Sequence, residues 1–537
     1  TEQLTATALP ANADNKAVTW RSDDDSIASV DSEGLVTGHS VGKTTITATT
    51  VDGNKIAQCT IVVYTNSVEK DFEFDAYNKL ITGYKGNGGN VTIPSIINEV
   101  EVFKIAESVF ADNDTIVSVT IPNTVTEIQA NAFKNCVNLV SVNHQVGSFL
   151  EKIGDYAFFG CINLASFDIP KKVREIGKSI FGDCRSLLEI AVSETNADYS
   201  SIDGVLYSKD GSTILTYPAG ITAASFTISD SVTSIGEGAF WYCRNLKELL
   251  TSENNASYRS VDGILYNKNN TSLVVYPGGR TETSYTVPRN ITQIGRGAFG
   301  YAYNLLNIYV EEGSLSFSSI DGVLYSKDGK TLIAYPTGRP DAAFSIPLNT
   351  RTIGEGAFMA SVNLTDIDFQ TSPQGRRASI MCSLRGMNPE SPVIESYAFY
   401  ECSNLVNISI PSSIVSIGDY AFANCANLTS VTFSESSNLS HIGIGAFSGC
   451  PKLYSFVIPN SVTSIGNDLF SCSTGLTNVT FQEDSQLTYI SDAMFSCCFS
   501  LNSIEIPSSI VNIGEYAFYG SGLWKIIIPD TVVNIGS

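Results

Sequence analysis

The chain has 537 residues, a formal net charge of −22 and an isoelectric point near 4.5, and only 16% of its residues are charged. An acidic chain repels nucleic-acid phosphates and anionic membrane surfaces, so we expect neither as a partner. The sequence contains no run of about 18 apolar residues, so it predicts no insertion into a membrane.

Residues 1–64 contain short runs of alternating apolar and polar residues, separated by turn residues. This pattern predicts a small β-sandwich. Within it, the stretch from Ala8 to Gly38 contains A-V-T-W-R-S-D-D-D-S-I-A-S-V-D and resembles the bacterial immunoglobulin-like domain of the second group. The resemblance implies a spacer or adhesin module of an exported protein. It also implies an opening strand that would precede Thr1.

Residues 65–90 are predicted to form a linker and a hairpin, with the hairpin between Phe72 and Val91. We expect this hairpin to cover the first coil of the repeats that follow, because the end of a repeat array needs a cap. The first strand of the array is expected at Val91–Ile93, where Pro94 ends it because proline has no N–H to donate.

One motif recurs through residues 91–537. The copy at Pro411–Phe433 follows the pattern I-P-x-x-h-x-x-I-G-x-x-A-F-x-x-C-x-N-L-x-x-h-x-h, in which h is apolar. Its phenylalanine recurs thirteen times at spacings of 23, 25, 41 or 59 residues, as Phe110, Phe133, Phe158, Phe181, Phe240, Phe299, Phe358, Phe399, Phe422, Phe447, Phe470, Phe495 and Phe518. Repetition at these periods predicts a solenoid.

The physical unit of the motif is a short strand followed by a compact corner. Val431 and Phe433 alternate with polar residues, as in a strand with one buried face. Ala421, Phe422 and Cys425 are spaced to share one face of a short helical turn. Stacked coils would bury that face in a continuous core, with the strands forming a parallel sheet. Counting strands predicts about seventeen coils.

The I-G-x-x-A-F-x-x-C-x-N-L-x-x-h-x-h-P pattern resembles the BspA-type leucine-rich repeat of bacterial surface proteins. The resemblance implies a curved, right-handed solenoid with its sheet on the concave face and short helical turns on the convex side. It also implies adhesion or ligand capture at a cell surface or in a secreted protein, without a catalytic motif.

Three similar inserts lie near residues 199–218, 258–277 and 317–336, at 59-residue intervals. Each contains V/I-D-G-V/I-L-Y followed by Lys-Asp-Gly or Lys-Asn-Asn, which predicts β-hairpins because these residues tolerate turn conformations. An Asp-Gly pair also suggests calcium, but the regular acidic spacing of a calcium loop is missing. We therefore favour turn chemistry and expect no metal site and no cofactor.

A fourth insertion, residues 370–392, shows neither strand nor helix periodicity. It contains Arg376, Arg377 and Arg385 in an otherwise acidic chain. We interpret it either as a loosely tethered excursion or as a contact loop for an acidic or glycan partner.

Cysteine occupies the position three residues after the anchor phenylalanine in eight coils, and alanine or serine occupies it in others. A site that accepts any small side chain favours buried free thiols. Disulfides between neighbouring coils remain an alternative for an exported protein. A metal ladder is disfavoured because no histidine joins the row.

The outward strand positions offer a second candidate binding surface. Most are small and polar, which is also what a plain solvated sheet face would show. The acidic and aromatic candidates for ligand contact are Glu189, Glu248, Tyr309, Asp366 and Asp368. This composition suits a glycan or a basic peptide.

We therefore expect a non-enzymatic protein of the bacterial cell surface or extracellular space that binds a protein or glycan. The alternative is a passive stalk within a larger surface protein. No G-x-S-x-G elbow or phosphate-binding loop occurs, and we expect no catalytic residues. The sequence starts at Thr1 without a leader peptide, which we interpret as a processed fragment. The incomplete coil before Ser537 suggests end-to-end self-association or further chain.

Overall fold

A computed structural model describes residues 2–7, 15–39, 42–51, 55–63, 69–369 and 392–536. They form two compact units. The first is Thr1–Gly220 with Gly236–Ala239, and the second is Ile221–Ile235 with Phe240–Ser537. The repeats form a β-solenoid of about 19 turns. The sequence prediction of about seventeen counted only the strands of one side.

The amino-terminal part of the first unit is a small all-β domain. Its two three-stranded antiparallel sheets contain the strands Val18–Ser22, Gly42–Thr50 and Ile56–Val63, and the strands Glu2–Gln3, Leu35–Gly38 and Ala28–Val30. Ala28, Val36 and Ile46 are buried between the sheets and pack against Trp20. The alternating pattern of the sequence predicts that these apolar side chains are buried.

The short helix Glu69–Asp71 precedes a hairpin of Phe72–Asp75 and Leu80–Tyr84. Leu80–Tyr84 then pairs in parallel with the first short strand of the repeats, Lys104–Ile105. The hairpin therefore extends a ladder of the solenoid. A second small hairpin joins Ile96–Ile97 to Val100–Glu101.

We name the first side of the coils the short-strand ladder. It consists of two-residue parallel strands, each of which ends at an isoleucine that glycine follows in most coils. In the first unit they are Lys104–Ile105, Glu127–Ile128, Lys152–Ile153 and Glu175–Ile176. In the second unit they are Ser234–Ile235, Gln293–Ile294, Thr352–Ile353, Val393–Ile394, Ser416–Ile417, His441–Ile442, Ser464–Ile465, Tyr489–Ile490, Asn512–Ile513 and Asn534–Ile535.

We name a second side the long-strand ladder. In the first unit its parallel strands are Gly89–Thr92, Ile116–Ile121, Ser141–His144, Ser166–Ile169 and Glu189–Val192. In the second unit they are Ser225–Ile228, Glu248–Thr251, Ser284–Val287, Asn307–Val310, Ala343–Ile346, Asp366–Phe369, Asn407–Ile410, Ser430–Phe433, Ser455–Ile458 and Asn478–Phe481. A single bridge between Glu505 and Ile527 follows.

The corner between these two sides is a series of turns, which corrects the predicted helical turn. Around Phe422, the residues Tyr420 and Asn424 have φ of 54° and 60°, left-handed values that interrupt a helix. The N–H of Phe422 instead donates to the carbonyl of Ala446 in the next coil at 2.8 Å. The corners therefore form a third hydrogen-bonded ladder. The sequence spacing predicts the shared buried face but not the backbone conformation.

The anchor phenylalanines form the centre of the core. Phe399, Phe422 and Phe447 are each fully buried, with successive ring centroids 4.9 and 5.1 Å apart and the rings nearly parallel. The same stacking joins Phe110 to Phe133 at 4.7 Å in the first unit. One stacked ring per coil explains why the motif keeps phenylalanine at this position.

The cysteine row has a hydrogen-bonding role. All eleven described cysteines are free thiols. The Cys425 Sγ lies 3.2 Å from the carbonyl oxygen of Phe399 in the preceding coil, and burial raises the pKa of the thiol well above its usual value. Ser473 places its Oγ 2.8 Å from the carbonyl oxygen of Phe447 in the same way. The position therefore holds a small side chain, which in these coils also donates a hydrogen bond, whereas Ala302 fills it without a donor.

Replacement of Cys425 separates the donor role from the packing role. We expect Cys425→Ser to change the free energy of unfolding by less than about 1 kcal/mol, because serine keeps a donor for the Phe399 carbonyl. Cys425→Ala should cost about 1–2 kcal/mol, because that buried acceptor loses its partner. Urea denaturation followed by hydrogen exchange of the neighbouring coils measures both. Equal losses for the two variants would contradict a donor role.

The motif asparagines also bond between coils, as the bend before each strand requires. The Asn304 side-chain amide donates to the carbonyl of Arg280 at 2.7 Å, and that of Asn363 donates to the carbonyl of Arg339 at 2.8 Å. These bonds satisfy backbone carbonyls that the turn leaves without a ladder partner. The asparagines are structural residues.

His144 is an exception within the first unit. It ends the strand Ser141–His144, opposite Ile121, and lies edge-on to Phe167 at 5.5 Å. Among the described residues, neither ring nitrogen has a hydrogen-bond partner. Burial lowers the pKa of His144 to about 4, although Asp168 partly offsets the effect.

We expect this histidine to make the first unit sensitive to acid. A base whose folded pKa is lowered binds a proton more readily when unfolded, so stability falls as pH decreases from about 6.5 towards 4. The loss should reach about 2–3 kcal/mol. His144→Phe should remove that dependence. Urea denaturation of both proteins across this pH range measures it, and parallel pH profiles would contradict the prediction.

Candidate ligand-binding surface

The structure places all five predicted contact residues on exposed positions of the long-strand ladder. Glu189 belongs to the first unit, and the other four belong to the second. Each precedes or follows a buried apolar residue of its strand, as Asp366 and Asp368 flank Ile367. The pleat thus exposes them, because alternate side chains point to opposite faces.

Only two of these residues share a strand. Asp366 is paired with Ala343 on one side and Asn407 on the other, and Asp368 is paired with Ser345. Glu248 and Tyr309 lie on two separate two-stranded sheets. The single parallel sheet expected from the sequence is therefore divided in the second unit.

The inserts cause this division. Each contains three antiparallel strands rather than the two of a simple hairpin. In the first unit these are Tyr199–Ile202, Val205–Ser208 and Thr213–Thr216; in the second unit they are Tyr258–Val261, Ile264–Asn267 and Ser272–Val275, and Phe317–Ile320, Val323–Ser326 and Thr331–Ala334. The third strand of each insert in the second unit joins the short-strand ladder.

The first turn of each insert bonds to the edge of a long strand. Leu249 donates its N–H to the carbonyl of Gly263 at 2.8 Å, and Ile308 donates to the carbonyl of Gly322 at 2.7 Å. The insert thus takes the place that the next long strand would occupy. Gly322 has φ of 76°, and a Cβ there would overlap the Asn307 side chain, so the turn requires glycine.

The second turn of the inserts uses the predicted Asp-Gly chemistry. In the first unit, the Asp210 carboxylate accepts hydrogen bonds from the Ser208 and Ser212 hydroxyls at 2.6 and 2.8 Å. These bonds, with the N–H of Ser212, lower the pKa of Asp210 to about 2. Its oxygens are therefore used by donors within the turn.

An open depression of about 780 Å³ lies beside Tyr309 in the second unit. Its floor and walls come from the strand Asn307–Val310, the loop that follows it, and the insert hairpin. The tyrosine side chain is 47% exposed there. The charged side chains that line the depression are Glu311, Glu312, Asp321 and Lys327.

The walls of the depression are held by hydrogen bonds. Ser319 donates its hydroxyl to the carbonyl of Ile308 at 2.6 Å. Arg339 donates from Nη1 to the carbonyl of Asp321 at 2.5 Å and from Nε to the Asp341 carboxylate at 2.6 Å. The guanidinium also lies 5.5 Å from the ring centre of Tyr335. The hairpin is therefore fixed on the long strand before any ligand arrives.

Sequence reasoning missed Arg339 and the depression. A signal for the arginine was present, because Arg280 lies 59 residues earlier and donates to the carbonyl of Asp262 at 2.6 Å. The depression forms because the insert hydrogen-bonds to the edge of one particular long strand. No residue pattern predicts which strand edge that is.

The predicted contact-loop residues Arg376, Arg377 and Arg385 lie outside the described residues. Within the described ranges, no group of three or more His, Cys, Asp or Glu residues is arranged to hold a metal ion. The same ranges contain no helix with the length and apolarity needed to cross a bilayer.

Comparison with known proteins agrees with this architecture. The model of the BspA type leucine rich repeat region matches residues 89–209, 219–321, 342–436, 392–523 and 474–537. The model of the bacterial Ig-like domain (group 2) matches residues 1–61. The chain therefore belongs to the BspA-type leucine-rich repeat proteins, a family that includes bacterial surface proteins.

Individual relatives are distant or short. An uncharacterized protein of Clostridium acetobutylicum is 47% identical over 64 residues, which is 12% of this chain and 7% of that protein. A leucine rich cell surface protein of Faecalibacterium prausnitzii is 27% identical, with 87% and 92% of the two chains covered and a TM-score of 0.31. The pneumococcal vaccine antigen PcpA is 20% identical, with 85% and 89% covered and a TM-score of 0.29.

Proposed function

We propose that this protein is a non-enzymatic ligand-binding protein of a bacterial cell surface, or one secreted from the cell. It binds a protein or a glycan through the long-strand ladder of its second unit. Membership of a family that includes bacterial surface proteins supports the location. The observation that carries the binding role is the depression beside Tyr309, where an exposed aromatic ring and carboxylates lie on rigid walls.

The acidic pair on the neighbouring sheet supports the same role. Asp366 and Asp368 are exposed on one strand, beside the small polar residues Ser345 and Asn407. Two exposed carboxylates on one strand favour partners that present hydrogen-bond donors or positive charge. We expect neither nucleic acid nor membrane as a partner, since both would present negative charge.

A binding screen tests the proposal. The whole chain would be applied to an array of glycans and extracellular matrix proteins. Reversal of charge in the variant Asp366→Lys/Asp368→Lys should weaken capture of a basic partner about tenfold or more. The variant Glu435→Lys/Glu483→Lys changes the charge equally at exposed positions outside the ladder and is the matched control.

The alternative is a passive stalk that holds other domains away from the cell. The small polar residues on most of the long-strand ladder favour it, because they resemble a simple solvated face. A stalk would capture no member of the array. It would also show equal behaviour of the two charge-reversed variants.

Self-association stays a second prediction. The last described coils expose Trp524, Ile527 and Val533, at 77%, 65% and 74%. Contact with a second copy would cover these side chains. Sedimentation of the chain and of Trp524→Ser/Val533→Ser should show a dimer only for the former. A monomer at all concentrations would contradict it.

A further inference from the structure

The depression beside Tyr309 presents more negative than positive charge to a ligand. The hydroxyls of Ser318 and Ser319 are both already donated, to the carbonyls of Ser326 and Ile308 at 2.9 and 2.6 Å. The other polar side chains are the carboxylates of Glu311, Glu312 and Asp321, and the groups of Asn307, Tyr309 and Lys327, which can donate. Three carboxylates against one ammonium favour a ligand that donates hydrogen bonds and carries positive charge.

The carboxylates differ in the hydrogen bonds and ion pairs that they already form within the protein. Glu311 accepts the N–H of Arg289 at 2.9 Å and lies 3.7 Å from its guanidinium. Within the described residues, the carboxylates of Glu312 and Asp321 have neither an ion-pair partner nor a hydrogen-bond donor. Two negative groups therefore remain for a ligand, against the single ammonium of Lys327.

An exposed aromatic ring completes the arrangement. Tyr309 lies on the wall formed by the long strand, and Asp321 lies on the wall formed by the insert. A cation above a tyrosine ring is attracted by the electrons of its face. Carboxylates beside the ring add charge-assisted hydrogen bonds to the same cation.

We propose that this depression binds an arginine or lysine side chain from a basic segment of a partner protein. The proposal rests on the proposed ligand-binding function and names its chemistry. The cation lies on the ring face of Tyr309, and Glu312 and Asp321 accept its N–H groups. The pre-bonded hairpin keeps these groups in place, so binding costs little ordering of the protein.

The preceding insert provides an internal control. Leu250 and Asp262 lie 59 residues before Tyr309 and Asp321, at the same positions of an otherwise similar wall. That wall has the acidic turn residue but no aromatic ring. A cation should therefore prefer the wall that carries Tyr309.

The test is titration calorimetry of the whole chain with a blocked pentapeptide, Ala-Arg-Ala-Arg-Ala, at low ionic strength. The same peptide with citrulline in place of arginine has nearly the same shape without the charge. We expect the arginine peptide alone to bind. Tyr309→Leu and Asp321→Asn should each weaken it about five- to tenfold. Leu250→Ala and Asp262→Asn should leave it unchanged.

Several results would overturn the inference. They are equal binding of the citrulline peptide, no effect of Tyr309→Leu, equal losses from the control variants, or no binding of the arginine peptide. A neutral oligosaccharide that binds only when Tyr309 is present would also overturn it. That last result would still support the proposed function, whereas failure of the whole array would count against the proposed function itself. Unchanged thermal melting of each variant shows that it folds.

Discussion

Replacing Phe422 by alanine is expected to destabilise its part of the array by about 3–5 kcal/mol. The ring is fully buried and stacks on Phe399 and Phe447 at 4.9 and 5.1 Å. Truncation removes the buried apolar surface and leaves a cavity that the three ladders prevent from closing. The loss should therefore lie at the upper end of core substitutions.

The loss should also be local, because coils contact only their neighbours. Hydrogen exchange should show reduced protection in the coils of Phe399, Phe422 and Phe447, while the coil of Phe133 keeps its protection. Phe422→Leu is the matched control, since it keeps much of the volume. Its loss should be less than half that of alanine. A loss below about 1 kcal/mol for alanine would show that the stack is not a main source of stability.

Replacing Asn255 by alanine is expected to cost about 3 kcal/mol and to release the insert that follows it. The side chain is fully buried. Its amide donates to the carbonyls of Ser229 and Val232 at 2.8 and 3.3 Å. Its oxygen accepts from the N–H groups of Ser257 and Tyr258 at 3.0 and 2.8 Å. Alanine removes all four hydrogen bonds at once, and of the four backbone groups the Ser229 carbonyl keeps the N–H of Val232 at 3.1 Å.

The next insert suggests a variant with an effect between those of asparagine and alanine. Ser314 occupies the same position of the next insert, where its hydroxyl accepts the N–H of Phe317 at 3.3 Å. Asn255→Ser should therefore lose less stability than Asn255→Ala. Limited proteolysis should cut the alanine variant first within residues 258–275. Hydrogen exchange of the same residues measures the free energy of local unfolding. Equal protection in all three proteins would contradict the role assigned to the amide.

The sequence predicts the core of this fold well, because each coil buries the same kinds of side chain at the same positions. Phenylalanine, the small residue after it and the alternating strand positions recur often enough to fix which side chains point inward. The asparagine at 255 also recurs, as Asn196. Its role is not evident from the sequence, because the four backbone groups that it binds lie up to 26 residues away.

The sequence does not predict the conformation of the corners or the site. Spacings of three and four residues are typical of a helix. Residues such as Tyr420 instead adopt a left-handed φ, which is uncommon for tyrosine and is not predicted from its side chain. The position of the insert against the long strand depends on hydrogen bonds between backbones, such as that from Ile308 to Gly322. No residue pattern shows which strand edge is free to bind the insert, so the sequence does not predict the depression.

The way in which the inserts close the edge of a long strand has a consequence for how such a protein diversifies. A 59-residue cassette that ends the long-strand sheet, while its third strand continues the short-strand ladder, can be duplicated or lost in register with its neighbours. Each copy then varies independently at the outward position held by Leu250 in one and Tyr309 in the next. Recombination between cassettes would move the depression that we propose as a binding site to another coil.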